Sequence, residues 1–182
     1  MRFQVYAREC EFISANDYPE GVERDAYDDH AVHFGAFDEE SQIVGAVRLI
    51  LPSSEKFLIE ERCGLLPFGS GLPSRHLHAE ISRLTISKSF RRSLAPQGPS
   101  DGKAESYIRK VSPMALGLCH LMYEECRDRG IAYCLALMEK PLELLLKLNG
   151  FEFKPIGPAV DFYGPVTPYI LFVRKLTDQD FM

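Results

Sequence analysis

The chain has 182 residues, 46% hydrophobic and 11% aromatic, enough for one domain with a real core and short for two. Its formal net charge of -5 argues against nucleic acid as the main partner, because phosphate binding needs a basic surface. Five cysteines without a CxxC pair read as buried thiols in a reducing compartment; with no leader pattern and no apolar run long enough to cross a bilayer, the chain is expected in the cytoplasm.

Residues 1–12 set Phe3, Val5, Tyr6, Cys10 and Phe12 among charged positions, a spacing compatible with an amphipathic helix that begins without a capping residue. Residues 14–21 are loop by composition and lead into an acidic cluster, 23–29, which is a solvated loop unless arginines converge on it. Residues 31–37 and 43–51 read as strands joined by the polar turn 38–42, an antiparallel hairpin. Arg48 interrupts its apolar run and needs an acid, such as Asp25 or Asp28. A short helix or turn is predicted at 57–63 and irregular loop at 67–73.

Residues 78–86, His-Ala-Glu-Ile-Ser-Arg-Leu-Thr-Ile, are the strand around which the rest is organised. Alternation sends Glu80 and Ser82 to one face, Ile81 and Arg83 to the other. A charge inside a sheet is costly unless paired, so Glu80 and Arg83 either form structural ion pairs or do chemistry.

Residues 87–110 then lack periodicity and carry Lys88, Arg91, Arg92, Lys103, Arg109 and Lys110 against only Asp101 and Glu105, a basic loop in an acidic protein. Ser112 with Pro113 starts a helix with Ala115, Leu118, Cys119, Met122 and Cys126 on its apolar face. There follow a buried strand at 131–138, a leucine-rich helix at 141–148, a strand opening at 151–153 and a turn-rich connection to a last strand at 169–173. This order predicts an α/β sandwich with a mixed sheet.

A strand that runs through a basic loop into a helix N-terminus is an arrangement that holds pyrophosphate, although no GxGxxG or P-loop motif accompanies it. Joined to the acid-bearing strand just upstream, it suggests acyl transfer from a phosphopantetheine thioester. His76 and His78 make a poor metal pair for want of a third ligand, and Cys134 reads as core rather than nucleophile.

Arg8-Glu9-Cys10-Glu11-Phe12, Tyr18, Glu23-Arg24-Asp25-Ala26-Tyr27-Asp28, Gly45-Ala46-Val47-Arg48-Leu49 and Glu80-Ile81-Ser82-Arg83 resemble, in order and approximate spacing, the signature positions of acyl-homoserine lactone synthases. The sequence is similar as well to N-acyl amino acid synthases and to exosortase (PEP-CTERM) system-associated acyltransferases, all variants of the GNAT fold. Arg91-Arg92 and the stretch from Pro155-Ile156-Gly157-Pro158 to Tyr163-Gly164 look like the last group in particular.

The resemblance implies one GNAT domain over residues 1–182, with a mixed central sheet flanked by helices and without the usual first strand. In that fold the pantetheine arm lies between two splayed parallel strands, here 80–86 and 132–138. The implied donor is a fatty acyl chain on acyl carrier protein, or acyl-CoA, and no metal is implied. By position, Arg8, Phe12 and Tyr18 would lie at the acceptor side, Tyr18 standing where lactone synthases have tryptophan, so an amino acid acceptor is expected over S-adenosylmethionine. Glu23, Asp25 and Asp28 with Arg48 and Arg83 would form the ion-pair cluster that shapes the cleft.

Chemically, the acceptor amine must lose a proton as it attacks the thioester, and the carbonyl oxygen must be stabilised. Glu80 is the general-base candidate, beside Ser82 and Arg83; backbone N–H groups at Leu84 and Ile86 are the oxyanion donors if a bulge frees them. Arg91 and Arg92 would meet the donor's phosphate, and Lys103, Arg109 or Lys110 an acidic carrier protein. Leu116, Leu135, Leu137, Leu142 and Leu145 either line an acyl tunnel or are solid core. A lactone-forming synthase, an acetyl-CoA acetyltransferase and a silent acyl-binding module are the alternatives.

Overall fold

Apolar, strand-forming runs on either side of a turn-forming aspartate make the hairpin of β1 (Ala31–Phe37) and β2 (Ile43–Ile50). Asp38 Oδ1 accepts the N–H groups of Glu40 at 3.0 Å and Gln42 at 2.8 Å, the local side-chain mimicry that suits aspartate to turns. The computed structural model describes residues 1–53, 56–63, 75–93 and 103–173. The chain forms two units, one from Met1–Ala26, His33–Arg48 and Arg83–Leu121, the other from Tyr27–Val32, Leu49–Ser82 and Met122–Met182.

The strand order begins β1-β2-β3, β3 being the strand His78–Ile86 expected from the sequence, of which Arg83–Ile86 belong to the first unit. Thr85 donates its hydroxyl to the carbonyl of Ala46 at 3.4 Å, and Ser87 its N–H to that of Val44 at 2.9 Å. Over the hairpin lies α3 (Lys103–Asp128). Gly45 permits the close approach, since a Cβ there would sit 2.9 Å from Met114 Sδ and 3.4 Å from Leu118 Cδ1. The expected amphipathic helix at the N-terminus is a π-helical turn, Gln4–Glu9, with Val5 and Ala7 buried.

The basic loop expected at 87–110 is corrected. Its start is α2 (Lys88–Ser93), capped by Ser87, whose Oγ accepts the Phe90 N–H at 3.2 Å. Its end is the beginning of α3, which runs through Pro113 rather than starting at Ser112. An interior proline removes one backbone hydrogen bond and disfavours helix before it, which is why the sequence reads as a boundary there. Burial of Ala115, Leu118, Cys119, Met122 and Cys126 on one face supplies what propensity does not.

With β4 (Tyr133–Met138), β5 (Lys154–Pro155), β6 (Val160–Asp161) and β7 (Pro165–Phe172) the order continues β3-β4-β7-β5, β6 also pairing with β7. β4 (Tyr133–Met138) runs parallel to β3, from His78↔Tyr133 to Ile81↔Ala136, where the register ends. β7 (Pro165–Phe172) is antiparallel to β4, from Tyr133↔Phe172 to Met138↔Thr167. The sheet is thus mixed. Ile50, Phe57, Leu58, Ile59, Leu135 and Ile170 form its buried cluster, built around α1 (Leu58–Cys63); α4 (Lys140–Leu148) has Pro141 in its first turn.

The strand expected at 151–153 is not one: Phe151 and Phe153 are buried from a loop, and the strand that follows is β5 (Lys154–Pro155). The last strand begins at Pro165, not Tyr169, because pairing with β4 continues to Thr167 and pairing with the short strand Val160–Asp161 carries it on to Pro165. The two-residue β6 (Val160–Asp161) completes the set. The loop predicted at 67–73 lies outside the described residues.

Candidate functional site

The acidic stretch after residue 22 does meet its arginines. In the first unit Arg48, with a side chain 0% exposed, holds both oxygens of Asp25, Nη1 to Oδ1 at 2.5 Å and Nη2 to Oδ2 at 3.1 Å. Arg83 donates from Nε and Nη2 to Glu23 Oε1 at 3.2 and 3.1 Å, and from Nη2 to Asp25 Oδ2 at 3.2 Å. Arg2 bonds the other oxygen of Glu23 and lies 3.9 Å from Asp25. Two carboxylates and three guanidinium groups therefore share one largely buried network, in which charge-assisted bonds offset the loss of water. Asp28, expected in the same cluster, lies in the 3-10 turn Ala26–His30 of the second unit.

Arg83 also breaks the alternation expected of its strand. Its φ of +57° lies in the left-handed region, which a non-glycine residue occupies only when its surroundings hold it there. The Glu23 and Asp25 bonds do so, and the irregularity falls immediately before Leu84. Burial alone would lower the Arg83 guanidinium; Tyr6, Glu23 and Asp25 outweigh it and hold the group above its ordinary value.

Aromatic rings extend this network. The Arg83 guanidinium lies over the Tyr6 ring, 5.0 Å from its centroid, and Tyr6 meets Phe12 edge-on at 5.8 Å. Arg8 lies over Phe3 at 5.4 Å, and Phe3 meets Tyr18 edge-on at 6.4 Å. Arg8, Phe12 and Tyr18 thus belong to two neighbouring ring systems of one unit. A cavity of about 500 Å³ in that unit is lined by Arg2, Phe3, Glu23, His33, Phe34 and Ala46 among others. Arg2 and Tyr6 were missed as members of the cluster; their i, i+4 spacing on one helical face was the available signal.

Arg91 is 3.5 Å from Glu9, whose Oε2 also accepts the Lys88 backbone N–H at 2.8 Å. Arg92 follows in α2, but its side chain, like those of Lys103, Arg109 and Lys110, lies outside the described residues.

In the second unit Glu80 is 1% exposed, and its Oε2 accepts the Ile59 N–H at 3.0 Å, answering an orphan donor in the first turn of α1. Burial, and then the Glu80 carboxylate, push the Cys63 thiol above its ordinary value. His78 is buried and stacks on Tyr133 at 4.9 Å, whereas His76 is exposed. Cys134 is buried with its sulfur 3.2 Å from that of Cys126. Leu135 and Leu137 belong to the packed cluster, and neither the 500 Å³ cavity nor one of about 220 Å³ beside Tyr123 is lined by the five leucines proposed for a tunnel. Among the described residues, no three His, Cys, Asp or Glu side chains gather as metal ligands, and no helix is long and apolar enough to cross a membrane.

The family described as acetyltransferase (GNAT) domain matches residues 1–98. TofI, solved in a ternary complex with an inhibitor and MTA, is 18% identical, with a TM-score of 0.70 over 98% of this chain and 84% of that one. BjaI, a CoA-dependent acyl-homoserine lactone synthase solved with SAM and isopentyl-CoA, is 24% identical, with a TM-score of 0.70 over 96% and 73%. FeeM, an N-acyl amino acid synthase from uncultured soil microbes, is 16% identical, with a TM-score of 0.57 over 80% and 69%. At these identities the likeness is one of fold. No curated protein matches the chain.

Proposed function

The chain belongs to the GNAT acetyltransferase family and is an N-acyltransferase; from that premise we propose that it moves a fatty acyl group from a phosphopantetheine thioester to the amine of an amino acid or a related small acceptor. The donor in this reading is acyl carrier protein or acyl-CoA, the working unit is one domain over residues 1–182, and the compartment is the cytoplasm. Of the similar groups, the exosortase-associated acyltransferases fit best, on Arg91-Arg92 and the residues from Pro155 to Gly164.

The observation that carries the proposal is the largely buried network of Glu23, Asp25, Arg2, Arg48 and Arg83 with aromatic rings beside it. Carboxylates and guanidinium groups locked to one another give the acceptor side a fixed wall, and Arg8, Phe12 and Tyr18 would sort the acceptor's side chain. Glu80, directly or through a water, takes the proton as the amine attacks the thioester carbonyl; its Oε2 accepts the Ile59 N–H, which helps to fix the carboxylate. The left-handed Arg83 supports a local bulge, and the N–H groups of Leu84 and Ile86 are the proposed oxyanion donors, with Ser82 beside them. Collapse of the tetrahedral intermediate forms the amide, breaks the C–S bond and returns the proton to the departing thiolate. Arg91 and Arg92 receive the donor's phosphate.

The test is to incubate the protein with acyl-CoA or acyl carrier protein loaded with chains of graded length, a mixture of amino acids and S-adenosylmethionine, and to weigh the products. An N-acyl amino acid with release of free thiol supports the reading. An acyl-homoserine lactone, a product made only from acetyl-CoA, or no transfer from any donor overturns it.

A further inference from the structure

Glu9 closes the π-helical turn of the first unit, and its side chain is only 8% exposed. Its Oε2 accepts the Lys88 backbone N–H at 2.8 Å and stands 3.5 Å from Arg91 Nη2. A backbone N–H and a guanidinium three residues apart on one helical turn are the pair of donors that an oxygen of a phosphate takes, and here a carboxylate oxygen stands between them. Among the described residues Arg91 Nε is buried without a hydrogen-bond partner, so the pairing with Glu9 does not exhaust what that side chain can donate.

We infer that Glu9 is a built-in competitor of the donor's phosphate: it orients Arg91 while the site is empty and is displaced when a phosphorylated pantetheine arrives. The inference rests on the proposed role of Arg91 as a donor contact. Its consequence is selectivity. A ligand bearing phosphate recovers, at Lys88 and Arg91, the interactions that Glu9 gives up, whereas one without phosphate cannot replace them. The chemistry shared by coenzyme A and holo-acyl carrier protein is the phosphate of the 4′-phosphopantetheine group, so both should feel the competition.

Binding of coenzyme A, holo-acyl carrier protein and pantetheine without phosphate, measured by calorimetry, tests this in the wild type, Glu9→Gln, Arg91→Ala and the double variant. Glutamine keeps an acceptor for the Lys88 N–H but drops the charge, so Glu9→Gln should tighten coenzyme A and the holo-carrier roughly two- to fivefold, the range of a partly exposed ion pair. Pantetheine affinity should stay unchanged, and the gain should vanish when Arg91 is also replaced. Glu9→Asp, which retracts the charge by one methylene, should shift affinity in the same direction by less. Tightening confined to one of the two carriers supports the inference for that donor. Unchanged or weaker binding of both in Glu9→Gln, while Arg91→Ala weakens it, overturns the inference alone; wild-type affinity in Arg91→Ala overturns the reading of Arg91 beneath it.

Discussion

Replacing Asp25 by alanine removes the carboxylate that Arg48 holds through both Nη1, at 2.5 Å, and Nη2, at 3.1 Å, and that Arg83 reaches at 3.2 Å. Arg48 is 0% exposed, so its charge stays in the interior after the acid has gone, whereas Arg83 keeps Glu23 at 3.1 Å. Removing one member of a buried pair costs about 3–5 kcal/mol. The Asp25 side chain is itself 25% exposed, which lets water in once it is cut back and places the expectation near the lower end, about 3 kcal/mol. For a domain of this size that lowers Tm by roughly 6–12 °C. The measurement is urea unfolding followed by circular dichroism at neutral pH, with Glu125→Ala as control. Glu125 pairs with Arg129 at a site where the side chains are 27% and 46% exposed, and its loss should cost less than about 1 kcal/mol. If Asp25→Ala unfolds as late as Glu125→Ala, burial of Arg48 is not what makes the network matter. The pair replaced together, Asp25→Leu with Arg48→Met, should be less damaging than Asp25→Ala, because the buried guanidinium leaves together with its acid.

Glu80→Gln preserves an acceptor for the Ile59 N–H and removes the base, so transfer should fall about 100-fold or more with little change in the urea midpoint. Transfer at the wild-type rate would reduce Glu80 to a helix-capping acceptor. Burial pushes the Cys119 thiol up to about 12 from its ordinary value of 9.0. The unfolded chain therefore releases this proton first, and the stabilisation present below pH 9 is lost as pH climbs toward 12. Cys119→Ala should accordingly show a smaller drop in urea midpoint between pH 8 and pH 10 than the wild type; equal drops would mean that this thiol does not couple to folding.

Strands were legible wherever local alternation meets turn chemistry. Residues 31–37 and 78–86 coincide with β1 and β3, because period-two patterning and the Asp38 turn act within a few residues of the chain. Where tertiary burial overrides local preference, the sequence misled: α3 crosses Pro113 because its apolar face is covered, and Phe151 and Phe153 look strand-like yet are buried from a loop. Of the site, the residue types and their order were legible, and so was the need of Arg48 and Arg83 for acids.

The sequence by itself determined the α/β class, the hairpin, the organising strand and the demand that its charges be met. Only the tertiary structure decided which partner meets which charge: Arg83 finds Glu23 sixty residues away, and Lys88 finds Glu9 at a separation of 79. It also turned Arg83 into a left-handed kink in its strand. Alternation and turns are written in neighbouring residues, whereas an ion pair depends on where distant segments come to rest, and a single sequence carries no local record of that.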